Sequence, residues 1–200
     1  ILLSESDERG RIQRLEIFAG DRLRDAVVRL YERHAELSPD GAARMRAAAT
    51  AHAAAALLGA LGDQGGERFE SALAPDIEFT EHGIVTLPSL RGADEVKRAF
   101  LAVFEVTDDI DNRTDDILGL EANVWLLRAT LSGTGRASGG LFERSLLSLL
   151  VFGPDGRAVR YEVFDGDRVD AALARFDELT GRAVDAELDD VRVQLLGDPH

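Results

Sequence analysis

The feature that most restricts how this chain can fold is that it contains one passage twice. "RLEIFAGDRLRDAVVRL", Arg14 to Leu30, returns as "RYEVFDGDRVDAALARF", Arg160 to Phe176, at a constant offset of 146 residues. Between Gly10 and Glu32, 11 of 23 positions match their counterparts: Gly10, Arg11, Arg14, Glu16, Phe18, Gly20, Asp21, Arg22, Ala26, Arg29 and Glu32. A repeat of this kind means that the same local structure is built twice. The alternative is an N-terminal extension that matches only through a shared amphipathic pattern. Gly-Asp-Arg following Phe at the same offset favours the repeat. The expected organisation is therefore a C-terminal hairpin and helix of a preceding copy over residues 1–37, a linker at 38–41 and a complete domain over 42–180. Residues 181–200 are expected to be an acidic tail or linker.

Each copy reads as a period-two hairpin followed by a helix, the first helix capped by Asp21. "SPDG" then signals a turn. Residues 42–61 are alanine-rich and strongly helix-favouring. "GERFESALAP" predicts a short helix, "DIEFTEH" a strand, and "GADEVKRAFLAVFEV" a helix with Val96, Phe100, Val103 and Phe104 on one side. Strands are predicted over 113–120, 122–132, 141–152 and 157–164, and a closing helix over 167–179. Helices first and a run of long antiparallel strands afterwards indicate an α+β fold, a strongly curved, mostly antiparallel sheet with helices packed on its concave face.

Composition narrows the function classes. The formal net charge of −14 repels phosphate backbones, and no basic cluster with interleaved aromatics occurs, so nucleic acid and acidic membrane surfaces are not expected partners. No apolar stretch is long enough to span a bilayer and no signal-peptide pattern opens the chain, so the expected compartment is the cytoplasm. With no cysteine, disulfides and thiolate metal sites are excluded. Lys97 is the only lysine, which leaves little room for Schiff-base chemistry. "GTGRASGG" fails the glycine-rich phosphate-loop pattern and reads as a hairpin loop, so no cofactor is expected. His34, His52 and His200 lack ligand spacing, so no metal is expected either.

Folding the predicted strands about "GTGRASGG" and "GPDG" sets Arg128 opposite Ser145, Thr130 opposite Glu143, and Leu147 opposite Glu162. Residues opposite one another share a face. Arg128, Thr130, Glu143, Ser145 and Glu162 therefore fall on one side, among Leu126, Leu147, Leu149 and Phe164. The other side collects Trp125, Leu127, Phe142, Leu146, Leu150, Tyr161 and Val163. The expectation is that the first face lines a cavity beneath the helices, with Phe79 from "DIEFTEH" as a further wall. The second face, too apolar for water, is then expected to dock a partner through Trp125, Phe142 and Tyr161, either as a pseudo-dimer with a tandem copy or as a homodimer.

The order of elements and the endings "GRAVRYEVFDGD" and "GRIQRLEIFAGD" resemble the SnoaL-like branch of the nuclear transport factor 2-like superfamily, over residues 42–180 and again over 1–37. The resemblance implies a cone-shaped α+β barrel around an apolar pocket that takes a small apolar molecule. The superfamily holds ketosteroid isomerases, polyketide cyclases, epoxide hydrolases and dehydratases, and also domains without catalysis. Against the epoxide hydrolase pattern, "LRAT" supplies Arg128 but sets Thr130 where a carboxylate is expected, and "YEVFD" supplies Glu162. His82 in "EHG" matches the histidine of a "DHR" passage found in other members.

Two readings of these residues stand open. In one, Glu162 is a base steadied by Arg128, with His82 as acid partner and Glu143 lending the missing charge. In the other, Glu162 and its arginine are a buried ion pair that fixes strand register. Arg14 and Glu16 repeat the same pattern in the first copy, which favours the architectural reading. The expected function is accordingly a non-catalytic, small-ligand-binding or interaction module from a tandem protein, with the acid–base enzyme as the alternative.

Overall fold

The computed structural model describes residues 1–7, 9–38, 41–59, 66–83, 89–181 and 191–194. It is an α+β fold. β1 (Leu2–Ser6), β2 (Ile12–Ile17) and α1 (Leu23–Leu37) form the N-terminal unit. α2 (Gly41–Gly59), α3 (Gly66–Ala72), β3 (Leu73–Glu81), β4 (Leu90–Arg91) and α4 (Ala93–Val106) follow. β5 (Thr107–Glu121), β6 (Val124–Gly135), β7 (Leu141–Phe152), β8 (Ala158–Asp165) and α5 (Val169–Thr180) complete the main unit, and β9 (Val191–Gln194) comes last. The main sheet has the order β4-β3-β8-β7-β6-β5, with β3 parallel to β8 and every other pair antiparallel. It curves but stays open, with β4 and β5 as its edges, so it is a cone rather than a closed barrel. Three register shifts along the β5–β6 ladder supply the bend of the long outer strand.

Both faces of the sheet are covered. Alanine-rich α2, with α3 and α4, lies on the concave face, where Leu57, Leu58, Phe69 and Val96 join Trp125, Leu127, Leu150 and Val163 in one core. Alanine favours the helix and lets α2 pack closely on α1 through Ala51 and Ala54. α5 lies across the convex face and buries Ala172 and Phe176 on Val124, Leu126, Leu147, Leu149 and Phe164. At ~2 kcal/mol for each large side chain removed from water, this second core is as necessary as the first.

The two copies of the repeat agree in detail. In β1–β2, Leu3 faces Glu16 and Ser4 faces Leu15; 146 residues on, Leu149 faces Glu162 and Leu150 faces Tyr161. The bulge recurs too, between Glu5 and Ser6 in one hairpin and between Val151 and Phe152 in the other. Gly10 and Gly156 turn the two hairpins at φ 73° and 78°, in the left-handed region that favours glycine. The first helix is entered by a turn from Ala19 O to Arg22 N and the second by the matching turn from Asp165 O to Arg168 N. Neither helix has a side-chain cap: Arg22, not Asp21, occupies the N-cap position, which corrects the expected role of Asp21.

α1 joins the N-terminal unit to the rest. Its Tyr31 is fully buried edge-on to Trp125 and Phe152, and its hydroxyl donates to Glu121 O at 2.9 Å. Residues 191–194, expected in a tail or linker, instead form β9, antiparallel on the edge of β1; the remainder of 182–200 lies outside the described residues. Among the described residues no helix is long and apolar enough to cross a membrane.

Candidate functional site

Strand alternation divides the side chains as the sequence suggests, but the faces are exchanged. The hairpin registers are two residues from those expected: Arg128 faces Leu147, Thr130 faces Ser145, and Glu162 faces Leu149. A shift of two leaves every side chain on its own face. The face turned toward α2, α3 and α4 carries Trp125, Leu127 and Ala129 from β6, Leu146, Ser148 and Leu150 from β7, and Tyr161 and Val163 from β8. Together with Asn112 and Thr114 of β5 and a roof of Leu57, Leu58, Phe69 and Phe100, these line a cavity of about 50 Å³. Trp125 and Tyr161 are therefore internal walls and not a docking face. Phe142 packs beside Gly133 near the strand end.

The cavity wall is aromatic and uncharged. Phe100 lies 5.7 Å from Tyr161, nearly parallel, and 4.9 Å from Phe69, while Phe79 stands edge-on behind Phe100 and Tyr161. Phe79 is thus on the cavity side, in the second row. Burial pushes the Tyr161 hydroxyl above its ordinary pKa, with the Ser148 hydroxyl pulling the other way, so it stays protonated. Trp125 is 1% exposed, and its Nε1 is the one fully buried side-chain nitrogen or oxygen among the described residues that has no hydrogen-bond partner. Among the described residues no carboxylate, imidazole, lysine or arginine lines the cavity.

The residues expected to form a pocket lie on the convex side. Leu126, Leu147 and Phe164 are core beneath α5. Glu162 is 2% exposed and held from three directions: Arg175 Nη2 and Nε at 2.9 and 3.0 Å from Oε1, Arg160 Nη1 at 3.3 Å from Oε1, and His82 Nε2 at 2.8 Å from Oε2. Burial raises its pKa, but hydrogen bonds from Arg175 and His82 outweigh that, and the group is held below the usual carboxylate range. His82 directly follows the last residue of β3, close to where it is expected, yet its ring stacks on Phe164 at 4.3 Å and faces Glu162, away from the cavity. Arg128 is not the partner of Glu162; its Nη1 donates to Gly166 O at 2.9 Å. The Thr130 hydroxyl donates to Asp115 Oδ2 at 2.5 Å, and Glu143 and Ser145 are exposed. The structure thus joins Glu162 with His82, and leaves Arg128, Thr130, Glu143 and Ser145 apart from them.

Both faces are apolar, so alternation alone could not say which is inside. The missed partner of Glu162 is Arg175, whose signal was present: Arg29 repeats it at the same offset as Glu16. A second missed group lies one row beyond the cavity wall. Arg144 Nη2 bridges Glu81 Oε1 and Asp165 Oδ1, both at 2.8 Å, with Glu81 facing the strand position of Val163 and Asp165 that of Leu146. Both carboxylates are engaged by one guanidinium, which suits them to fixing the cone's rim rather than to abstracting a proton.

No family model and no curated protein matches the chain. Solved structures do. A proposed isomerase from Rhodopseudomonas palustris is similar over 64% of this chain and 97% of its own, at 16% identity and a TM-score of 0.50. A further match is a protein from Burkholderia thailandensis described as nuclear transport factor 2-like, with 25% identity, TM-score 0.49 and coverage of 65% and 98%. The fold is nuclear transport factor 2-like. An epoxide hydrolase of Mycobacterium tuberculosis, similar to limonene epoxide hydrolase, is also among the matches, at 14% identity and a TM-score of 0.48 over 67% and 97%. The likeness to the Rhodopseudomonas palustris structure is one of fold alone and leaves activity to be argued from the site.

Proposed function

We propose that residues 41–180 are a non-catalytic binding module whose cone admits only a very small, uncharged molecule, and that the acid–base reading of Glu162 does not apply. The observation that carries this reading is the cavity itself: about 50 Å³, walled by aromatic and aliphatic side chains with the neutral polar groups of Asn112, Thr114 and Ser148, and with no acid or base among its described lining residues. Pockets that hold metabolite-sized ligands run to roughly 300–1,000 Å³, so a steroid- or terpene-sized substrate has no room. General acid–base catalysis needs a titratable group within reach of the reacting atom, and Glu162, His82 and Arg175 are on the other side of the sheet. Their geometry suits a register-fixing ion cluster beneath α5, repeated by Arg14, Glu16 and Arg29 in the first copy.

The test uses Trp125, the only tryptophan in the chain and a wall of the cavity. Titration with acetone, which offers an acceptor to the unpaired indole N–H, and with xenon, which is apolar, is expected to change its emission saturably. Ala129→Leu, which fills the cavity, is expected to abolish that response. Two results overturn the reading: an emission that responds to neither probe saturably, or turnover of an epoxide or an enolisable ketone that Glu162→Gln removes while the circular dichroism spectrum is kept.

A further inference from the structure

The N-terminal hairpin lacks the cover that its counterpart has. Leu15 and Ile17 occupy the repeat positions of Tyr161 and Val163, which line the cavity, yet they are 47% and 74% exposed. Ile12, the counterpart of fully buried Ala158, is 63% exposed. The opposite side of the same strand is complete. Leu3, Leu30 and Phe18 pack there as Leu149, Phe176 and Phe164 do in the second copy, and Arg29 holds Glu16 as Arg175 holds Glu162.

The edges point the same way. β8 has β3 along its outer edge, whereas β2 is the terminal strand of its sheet. The inner edge of β1 is taken by β9 in the register that β6 uses on β7: Leu3 faces Val193 as Leu149 faces Leu126. Gly10 adds an independent mark. A Cβ on Gly156 would lie 2.5 Å from Ala49 and Thr50 of α2, while nothing lies within 4 Å of the same position on Gly10. The turn that α2 covers at Gly156 is thus uncovered at Gly10.

We infer that the bare side of β2, centred on Leu15 and Ile17, seats the helical layer and first strand of a preceding domain of this same fold in the same polypeptide, whose closing hairpin and helix are β1, β2 and α1. A second copy of this chain does not supply that layer, because its Leu57, Leu58, Phe69 and Phe100 are committed to its own cavity. An unrelated partner would not account for the shared register, the shared bulge and the open space over Gly10. α1 then serves two domains: Leu30 closes the preceding one, and Val27 and Tyr31 enter the core of this one.

The experiment compares the full-length gene product with residues 1–200 by backbone amide exchange. In the full-length protein the β2 amides that face away from β1 are expected to exchange about 100-fold or more slowly than in residues 1–200. β9, standing where the preceding domain's own strand belongs, is expected to leave β1 and lose protection. Ile17→Lys is expected to lower the melting temperature of the full-length protein and to leave that of residues 1–200 unchanged. Ile17→Ala, which does not threaten folding, is expected to act in the same direction more weakly. Equal exchange of β2 in both proteins, or no effect of either variant on the full-length protein, overturns the inference. So does a gene that encodes no helix–helix–strand–helix pattern ahead of residue 1.

Discussion

The two hairpin–helix units share almost half of their residues and the register within their hairpins, yet one is buried and the other half-bare. Glu162 is 2% exposed beneath α5 and receives three cationic or imidazole donors, whereas the Glu16 side chain is 24% exposed and is held by Arg29 and Arg14. Gly156 is pressed against α2, whereas nothing lies within 4 Å of a Cβ placed on Gly10. Tyr161 and Val163 wall a cavity; Leu15 and Ile17 face outward. The local sequence makes the same turn, bulge, helix entry and ion cluster in both places. The layers packed around each unit decide what those features are worth, because an ion pair or a buried methyl gains its value from the water that its neighbours exclude.

The largest difference should come from the two hairpin glycines. Gly156→Ala introduces a Cβ that meets helix backbone and also strains a left-handed turn, and is expected to destabilise by about 3 kcal/mol. Gly10→Ala carries only the left-handed penalty, about 1 kcal/mol. Urea unfolding of both variants measures the pair, and equal losses would mean that α2 does not press on Gly156.

The carboxylates come next. Glu162→Gln leaves Arg175 and Arg160 facing a neutral amide in a nearly closed site and is expected to cost about 3 kcal/mol. Glu16→Gln, in a site that water reaches, is expected to cost about 1 kcal/mol or less. The same denaturation measurement checks it, and a Glu16 loss as large as that of Glu162 would show that exposure does not set the value of this cluster.

A smaller effect is expected in the pH dependence. Glu162 is held below its ordinary value of 4.5, so its contribution to stability is complete above that value and is lost as pH falls through the folded-state pKa. Glu16 is also lowered, chiefly by its hydrogen bond from Arg29, and follows the same sign. Stability measured from pH 6 down to pH 2 should fall less steeply in Glu162→Gln than in the parent. Glu16→Gln should flatten the slope less. A Glu162→Gln slope identical to the parent's would remove Glu162 from the acid response.

Much of the fold was legible because the relevant signals are local. α2 follows from alanine content, β7 and β8 from alternation about Gly156, and α4 from Val96 and Phe100 on one face. β5 begins six residues ahead of the strand expected at 113, because "TDDIDN" is polar and its pairing with β6 is a non-local fact. Glu162 is legible as a polar group on an apolar face, but alternation groups it with Arg128, Thr130, Glu143 and Ser145, which the fold keeps apart from it, and not with Arg175 and Arg160. Arg128 shares a sheet face with Glu162 and lies two strands away, whereas Arg175 arrives from a helix, whose placement no strand register predicts.

By itself the sequence determined the repeat, the strand alternation and the set of side chains that share each face, since these depend on chain geometry with periods of 2 and 3.6 residues. Which face became the inside was decided only in three dimensions. Trp125 and Glu162 sit on opposite sides of one apolar sheet, and either side could have received the helices. α1, α2, α3 and α4 packed against the tryptophan side, and α5 against the other, so the charged cluster became a seal and the aromatic face became the cavity. Long-range packing settles such a choice because burial rewards either face nearly equally, and only the connections between elements break the tie.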